Sequence, residues 1–240
     1  MFTLFPMNNI EPTRAIVLAA GRGKRLRPFT DTTPKPLLPI NGRSTLDTLL
    51  CALQTAGVTE VCLIIGHLGE QIRDFVGNGR SWGMNACFIE QTQLLGTAHA
   101  IQPAADFIQT PCFIVAGDYI LSADYLAELK MAYLQAGTDM AVSLKELPIE
   151  ELQSRSSVRF GENGRILEIV EKPAPGTAPS HIGASLIYIV PPAIRHYLAN
   201  LTLSQRQEYE LPTTISQMLN DGFTMTGCIQ SAPAEWVKPA

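Results

Sequence analysis

The sequence has no surplus of positive charge: 18 lysines and arginines face 22 aspartates and glutamates, a net charge of −4. Gripping nucleic acid through its phosphates takes a basic footprint, so general nucleic-acid binding is not expected. No apolar run approaches the ~20 residues that span a bilayer, so no membrane anchor is expected. The five cysteines (Cys51, Cys62, Cys87, Cys112 and Cys228) are odd in number and show no C-x-x-C spacing. That argues against a zinc site or a disulfide framework. Each lies in or beside an apolar stretch, so all five are expected to be buried thiols in a reducing cytoplasm. His67 and His99 have no second histidine at metal-ligand spacing, His196 reads as a helix-surface or packing residue, and no Ser, Cys and His constellation suggests a nucleophile. The start, MFTLFPMNNIEPTR, lacks a basic n-region and a small-residue cleavage site, so residues 1–12 read as a loose extension.

What is present is ordinary globular material, 46% hydrophobic and 17% charged, over a length that can bury a substantial core. RAIVLAA (Arg14 to Ala20) is a short apolar run ending at glycine, as a strand buried on both faces reads. EVCLIIG, NACFIE, PCFIVAGD (ending at Asp118) and DMAVSLKE continue the strand pattern. Helical spacing fills the intervals: STLDTLLCALQTAG with Ser44 as N-cap and Gly57 beyond its end, GEQIRDFVG, GTAHAIQPAADFI shortened by Pro103, and residues 123–135. This alternation predicts an α/β fold with a Rossmann-like, mainly parallel but mixed sheet flanked by helices. After about residue 145 the chain turns β-rich. A hairpin is expected around ENG in SVRFGENGRILEIVEKP, then the strand IGASLIYIV, helices in PPAIRHYLANL and EYELPTTISQMLNDG, and a last strand FTMTGCI. No repeat or linker interrupts residues 13–240, so one domain is expected, with halves of about 13–145 and 146–240.

One segment breaks the acidic balance. LAAGRGKRLRPFTDTTPKPLLP, residues 18–39, holds five cations (Arg22, Lys24, Arg25, Arg27 and Lys35) and a single acid, Asp31. It leaves the first strand at the carboxyl edge, where open parallel sheets bind ligands. Gly21 and Gly23 let the backbone turn tightly and aim N–H groups at an anion. The spacing is not a P-loop, which requires G-x-x-x-x-G-K-[ST], nor the dinucleotide fingerprint, whose third glycine is missing. Pro34 and Pro36 predict a stiff, extended carrier for Lys35. Such a cation suits charge that develops in a transition state. A small anionic ligand is the expected partner.

These residues resemble the sugar-1-phosphate nucleotidylyltransferases, whose motif runs L-A-x-G-x-G-x-R-[LM]-x-P-x-T, then P-K-P-[LM]-x-P. The resemblance runs from residue 14 to about residue 230. It implies a cytoplasmic, magnesium-dependent enzyme that moves a nucleotidyl group from a nucleoside triphosphate to a sugar-1-phosphate. It further implies that the backbone of Leu18, Ala19, Ala20, Gly21 and Gly23 holds the nucleotide, Arg25 the outgoing phosphates, and Lys35 the charge at the α-phosphate. EQTQLLGTAHAI resembles the base-reading segment of uridylyl- and thymidylyl-transferring members, implying that Gln91 reads a pyrimidine edge with Gly96 and Thr97 closing over it. VAGDYIL resembles the strand end whose aspartate binds magnesium, implying Asp118 as metal ligand and catalytic residue; by itself such an aspartate reads equally as a turn or helix cap. IVEKP implies Glu171 at a sugar hydroxyl and Lys172 at the sugar phosphate, and IGASLIYIV points to Gly183 beside the sugar. The first half then becomes the nucleotide half and the β-rich second half the sugar half.

The pattern also departs from the family. Ser157 and His181 stand near positions where glycine and asparagine often face the sugar, which leaves the sugar undetermined. Lys238, in EWVKPA, stands where a second metal ligand, Asp or Asn, usually follows W-[LV]. Magnesium held by Asp118, phosphates and water, an alignment that slips at the end, weakened activity, and a lysine serving as a further cation all accommodate it. Two rivals therefore stay open: a non-catalytic, nucleotide-sensing relative, and guanylyl or cytidylyl transfer to another phosphorylated acceptor. A homo-oligomer is neither required nor excluded. Of the five cations, only Arg25 and Lys35 fall on motif positions; Arg22, Lys24 and Arg27 read as a positive rim.

Overall fold

The computed structural model describes residues 10–153, 155–162 and 164–229, and the backbone of 235–236. Most of the expected extension, residues 1–9, and Lys238 lie outside the described residues. The chain opens with β1 (Arg14–Leu18), α1 (Phe29–Thr32), β2 (Pro39–Ile40), β3 (Arg43–Ser44) and α2 (Thr45–Thr55). It continues through β4 (Glu60–Ile65), α3 (Gly69–Val76), β5 (Asn85–Glu90), α4 (Thr97–Ile101), β6 (Cys112–Ala116) and β7 (Tyr119–Ile120). Next come α5 (Tyr125–Ala136), β8 (Met140–Glu146), α6 (Ile149–Leu152), β9 (Ser156–Phe160), β10 (Ile166–Glu171) and β11 (Ile182–Val190). Then follow α7 (Ile194–Ala199), α8 (Leu211–Asn220), β12 (Met225–Ile229) and β13 (Glu235–Trp236).

Nine strands make one sheet in the order β10-β9-β11-β6-β1-β4-β5, with β8 pairing both β11 and β12. β6, β1, β4 and β5 run parallel, as do β8 and β12. β11 runs antiparallel to β6, β8 and β9, so the sheet is mixed, as expected, and continues from the first half into the second. β1 shows why the apolar runs are unbroken. Ala15 and Val17 pack on one face with Leu49 and Leu53 of α2 and Leu129 of α5. Ile16 packs on the other with Ile101 of α4, Ile194 of α7 and Ile215 of α8. Both faces are covered by helices, which is the condition for strands without polar alternation.

Local signals hold where the chemistry is local. The Ser44 hydroxyl caps α2 by accepting the Asp47 N–H at 3.1 Å, and Gly57 lies past the helix at φ +85°. α4 stops at Ile101, and the chain runs on as a 3₁₀ turn containing Pro103. Two expectations are corrected. Cys62 and Cys112 are buried, but Cys51 and Cys228 are half-buried and Cys87 is exposed. Cys87 lies on β5, an edge strand with a neighbour on one side only, so apolar composition there does not guarantee burial. β6 ends at Ala116, because Gly117 and Asp118 form a turn into β7 rather than extending the strand. No helix among the described residues is long and apolar enough to cross a membrane.

Phe113 is completely buried on the central strand β6. Phe113→Ala is expected to lower unfolding free energy by roughly 3–5 kcal/mol through lost burial and a residual cavity. Urea denaturation checks this as a lower midpoint with an unchanged slope.

Candidate functional site

β1 is the point at which the strand order reverses: the chain lays β4 and β5 on one side of it and then places β6 on the other. The crevice outside the carboxyl ends of such strands is open to a ligand because the connecting segments leave in opposite directions. A cleft of 510 Å³ occupies that position and draws its walls from both halves of the chain.

Leu18, Ala19, Ala20, Gly21 and Gly23 form the first wall. It is pinned to both neighbours, since the Ala19 N–H donates to Ile64 at 2.8 Å and the Leu18 carbonyl accepts from Gly117 at 2.9 Å. At Gly23, φ is +59° and a Cβ would stand 2.8 Å from the Thr30 methyl and 3.2 Å from the Lys35 Cβ. Backbone and space together require glycine there. The Thr30 hydroxyl donates to the Gly23 carbonyl at 3.0 Å, and a 3₁₀ turn, Lys24–Leu26, then puts Lys24 and Arg25 along the cleft.

Lys35 forms an ion pair with Asp118 in the same cleft. Thr45, at the start of α2, directs its hydroxyl to the Pro36 carbonyl at 3.0 Å and lies 3.3 Å from that of Gly117. One buried threonine thus ties the lysine segment to the aspartate turn. The extended conformation expected at Lys35 is not found. Lys35–Leu37 is a 3₁₀ turn, closed by the Leu37 N–H donating to Pro34 at 2.8 Å. That hydrogen bond and the contact with Asp118 outweigh the local bias imposed by the following proline.

Gln91 follows β5, held by its N–H donating to Ile65 at 2.8 Å. Its side-chain amide donates to the Gln93 carbonyl at 3.0 Å, which leaves the side-chain oxygen as an acceptor. Gly96 has φ +128°, and a Cβ there would lie 2.3 Å from the Tyr209 carbonyl oxygen. Around it, Tyr209 N–H donates to Leu95 (2.9 Å), Ala98 N–H to Tyr209 (2.9 Å), and Leu211 N–H to the Thr97 hydroxyl (2.8 Å). This lacing carries Arg206, Glu208 and Glu210 into the cleft, three residues that sequence reasoning missed. The available signal was their spacing, R-x-E-x-E, ahead of a helix. Arg206 meets Glu210 at 2.5 Å and Glu208 at 3.4 Å, and the pairing compensates the burial of the Glu210 carboxylate.

The opposite wall is the end of β10. Glu171 and Lys172 line the cleft, 3.8 Å apart, and the Ser156 hydroxyl donates to the Glu171 carboxylate. Lys172 is held at φ +44°, a conformation costing a side-chain residue on the order of 1–3 kcal/mol, with its N–H donating to Arg155 at 2.9 Å. Gly183 stands outside the cleft lining. A Cβ there would meet Leu147 at 2.3 Å and the Ser156 carbonyl at 2.9 Å, which is a packing reason for glycine. Ser157 is completely buried with its hydroxyl donating to Ser180 at 2.8 Å, and His181 is exposed. Neither lines the cleft, and backbone hydrogen bonding inside the sheet engages the serine. Among the described residues, no group of three or more His, Cys, Asp or Glu is arranged to hold a metal.

Comparison with known proteins decides the family: the model of the nucleotidyl transferases matches residues 14–236. The chain belongs to the nucleotidyl transferase family. It is 30% identical over 214 residues to a low-salt glycan biosynthesis nucleotidyltransferase, Agl11, of Haloferax volcanii, covering 88% of this chain and 58% of that one. It is 30% identical over 211 residues to a glucose-1-phosphate thymidylyltransferase of Streptomyces griseus, covering 87% and 58%. An N-acetylmuramate alpha-1-phosphate uridylyltransferase of Neisseria meningitidis serogroup B is 40% identical over 121 residues, half of this chain and 52% of that protein. The chain thus spans little more than half the length of these relatives. A crystal structure of UDP-glucose pyrophosphorylase complexed with UDP-glucose shares the fold, with a TM-score of 0.78 at 21% identity over 90% of each chain.

In this nucleotidyl transferase, Gly96→Ala is expected to cost about 2–5 kcal/mol, from φ strain plus collision with the Tyr209 backbone. Gly137→Ala has the same sign of φ but open space around it, and is expected to cost about 1–2 kcal/mol. Thermal denaturation of the two variants side by side separates the collision from the strain.

Proposed function

We propose that the chain transfers a uridylyl or thymidylyl group from UTP or dTTP to a sugar-1-phosphate, giving the NDP-sugar and pyrophosphate. The observation that carries the proposal is the meeting of Arg25, Lys35, Gln91, Asp118, Glu171 and Lys172, from separate stretches of chain, in one cleft of 510 Å³. That volume suits a small-molecule ligand. Family membership supports the same reaction class.

In this reading an oxygen of the acceptor phosphate attacks the α-phosphorus. The new P–O bond forms as the bond to the β-phosphate oxygen breaks, and pyrophosphate leaves with that electron pair. The attacking oxygen is already anionic, so no strong general base is needed. Catalysis rests on position and on charge neutralisation. Lys35 neutralises the α-phosphate, Arg25 grips the departing phosphates, and Lys172 holds the acceptor phosphate while Glu171 accepts from a sugar hydroxyl. The free side-chain oxygen of Gln91 accepts the N3–H that uracil and thymine carry and cytosine lacks. Arg206 adds a cation on the facing wall. Leu18, Ala19, Ala20, Gly21, Gly23, Gly96 and Thr97 contribute backbone to the nucleotide side, and Gly183 supports the sugar side from behind.

Asp118 is the residue that would hold magnesium. One carboxylate in the turn after a strand suits that ion, which takes one or two carboxylates and completes its shell with phosphate and water. Bound there, magnesium supplies further neutralisation of the phosphate charge. We read residues 13–240 as one unit, acting in the cytoplasm.

The test is a matrix of nucleoside triphosphates against sugar-1-phosphates, followed by pyrophosphate release. Release with UTP or dTTP and at least one sugar-1-phosphate is the expected result; nucleotide binding without release across the matrix would overturn the proposal. Lys35→Ala is expected to lower turnover by about 10²–10³-fold with an unchanged circular dichroism spectrum. Chelation of divalent cations is expected to abolish release, and added magnesium to restore it.

A further inference from the structure

The cysteines of the sheet have no part in the cleft. β4 and β5 are parallel neighbours, and their register sets Cys62 directly beside Cys87. Adjacent strands stand ~4.8 Å apart, inside the Cα separation of ~4.4–6.8 Å that a disulfide bridges. Residues paired in register project from the same sheet face, so the two thiols stand side by side. Their exposure differs sharply: Cys62 is completely buried, whereas Cys87 is exposed on the edge strand. That asymmetry divides the roles. The neighbouring Cys87 thiol and burial together push the Cys62 thiol up and keep its proton on. The neighbouring Cys62 in turn draws Cys87 down, against burial and the charge of Glu60. Cys87 is therefore the reachable thiol of the pair, with the buried Cys62 thiol at its back.

We propose that Cys62 and Cys87 form a peroxide-responsive dithiol, a reversible modification site remote from the cleft. The Cys87 thiolate attacks one oxygen of hydrogen peroxide; the O–O bond breaks, and the departing hydroxide takes a proton and leaves as water. Cys62 then attacks the resulting Cys87 sulfenic sulfur. The S–S bond forms, the S–OH bond breaks, and the Cys62 proton leaves in a second water. Two thiols and one peroxide give one disulfide and two waters. Because β5 has a single neighbour, it can close the last distance between the sulfurs without disturbing a second strand. The bridge would fasten to β4 the strand that delivers Gln91 to the cleft.

The experiment treats the whole purified chain with hydrogen peroxide, then maps its peptides without reductant. The expected result is loss of two hydrogens, a Cys62–Cys87 cross-linked peptide, and full reversal by dithiothreitol. Cys62→Ala is expected to stop at oxygen added to Cys87. Two outcomes overturn the proposal: oxygen accumulating on Cys87 of the unsubstituted chain while Cys62 stays alkylatable after unfolding, or Cys87 cross-linked between two chains. Both are read on the unsubstituted chain, so the test holds whether or not Cys62→Ala folds.

Discussion

The site depends on one ion pair, Lys35 with Asp118, at the mouth of the crevice between β1 and β6. Both side chains are largely withdrawn from water, 13% and 28% exposed, so each charge is costly without the other. The surroundings are built to keep them together. The Thr45 hydroxyl spans the two backbones, Gly23 is packed against the stem of Lys35, and Gly117 bonds back to Leu18. A proline-flanked turn on one side and a strand exit on the other leave the pair little freedom. For a reaction that asks mainly for placed charge, that rigidity is the useful property.

The remaining charges follow the same plan. Lys172 is paired with Glu171, and Arg206 with Glu208 and Glu210, so an acidic chain carries a cation-lined cleft without leaving those cations unmatched. The acids fix where the cations stand, and an anionic ligand then meets donors already in place. The second half reaches the Gly96 turn through backbone hydrogen bonds between Leu95–Ala98 and Tyr209, through the Thr97 hydroxyl that accepts from Leu211, and through the stacked rings of His99 and Tyr209. A glycine at position 96 is what lets the two chain segments approach so closely.

Much of this was legible in the sequence, for reasons that can be stated. The strands β1, β4 and β6 are apolar without alternation because helices cover both faces, and that condition writes itself into their sequences. The cap at Ser44, the stop at Gly57 and the break before Pro103 depend on atoms within a few residues. Gly23 and Lys35 fall in a motif dense enough to identify a family. The misreadings share the opposite cause. Cys87 was expected to be buried because its strand is apolar, but only the order of strands makes β5 an edge. Lys35 was expected to be extended from its neighbouring proline, yet its conformation is set together with a partner 83 residues away.

By itself, the sequence determined the class of fold, the run of strands and helices, and the cation-rich segment that lines the cleft, because periodicity, caps and a long motif are properties of neighbouring residues. Only the tertiary structure decided which charges face one another. It put Asp118 on Lys35, brought Arg206 and two glutamates over the Gly96 turn, removed Gly183, Ser157 and His181 from the cleft wall, and set Cys62 beside Cys87. Those pairings come from strand order and register. They join residues dozens of positions apart, and no local pattern encodes the distance between them.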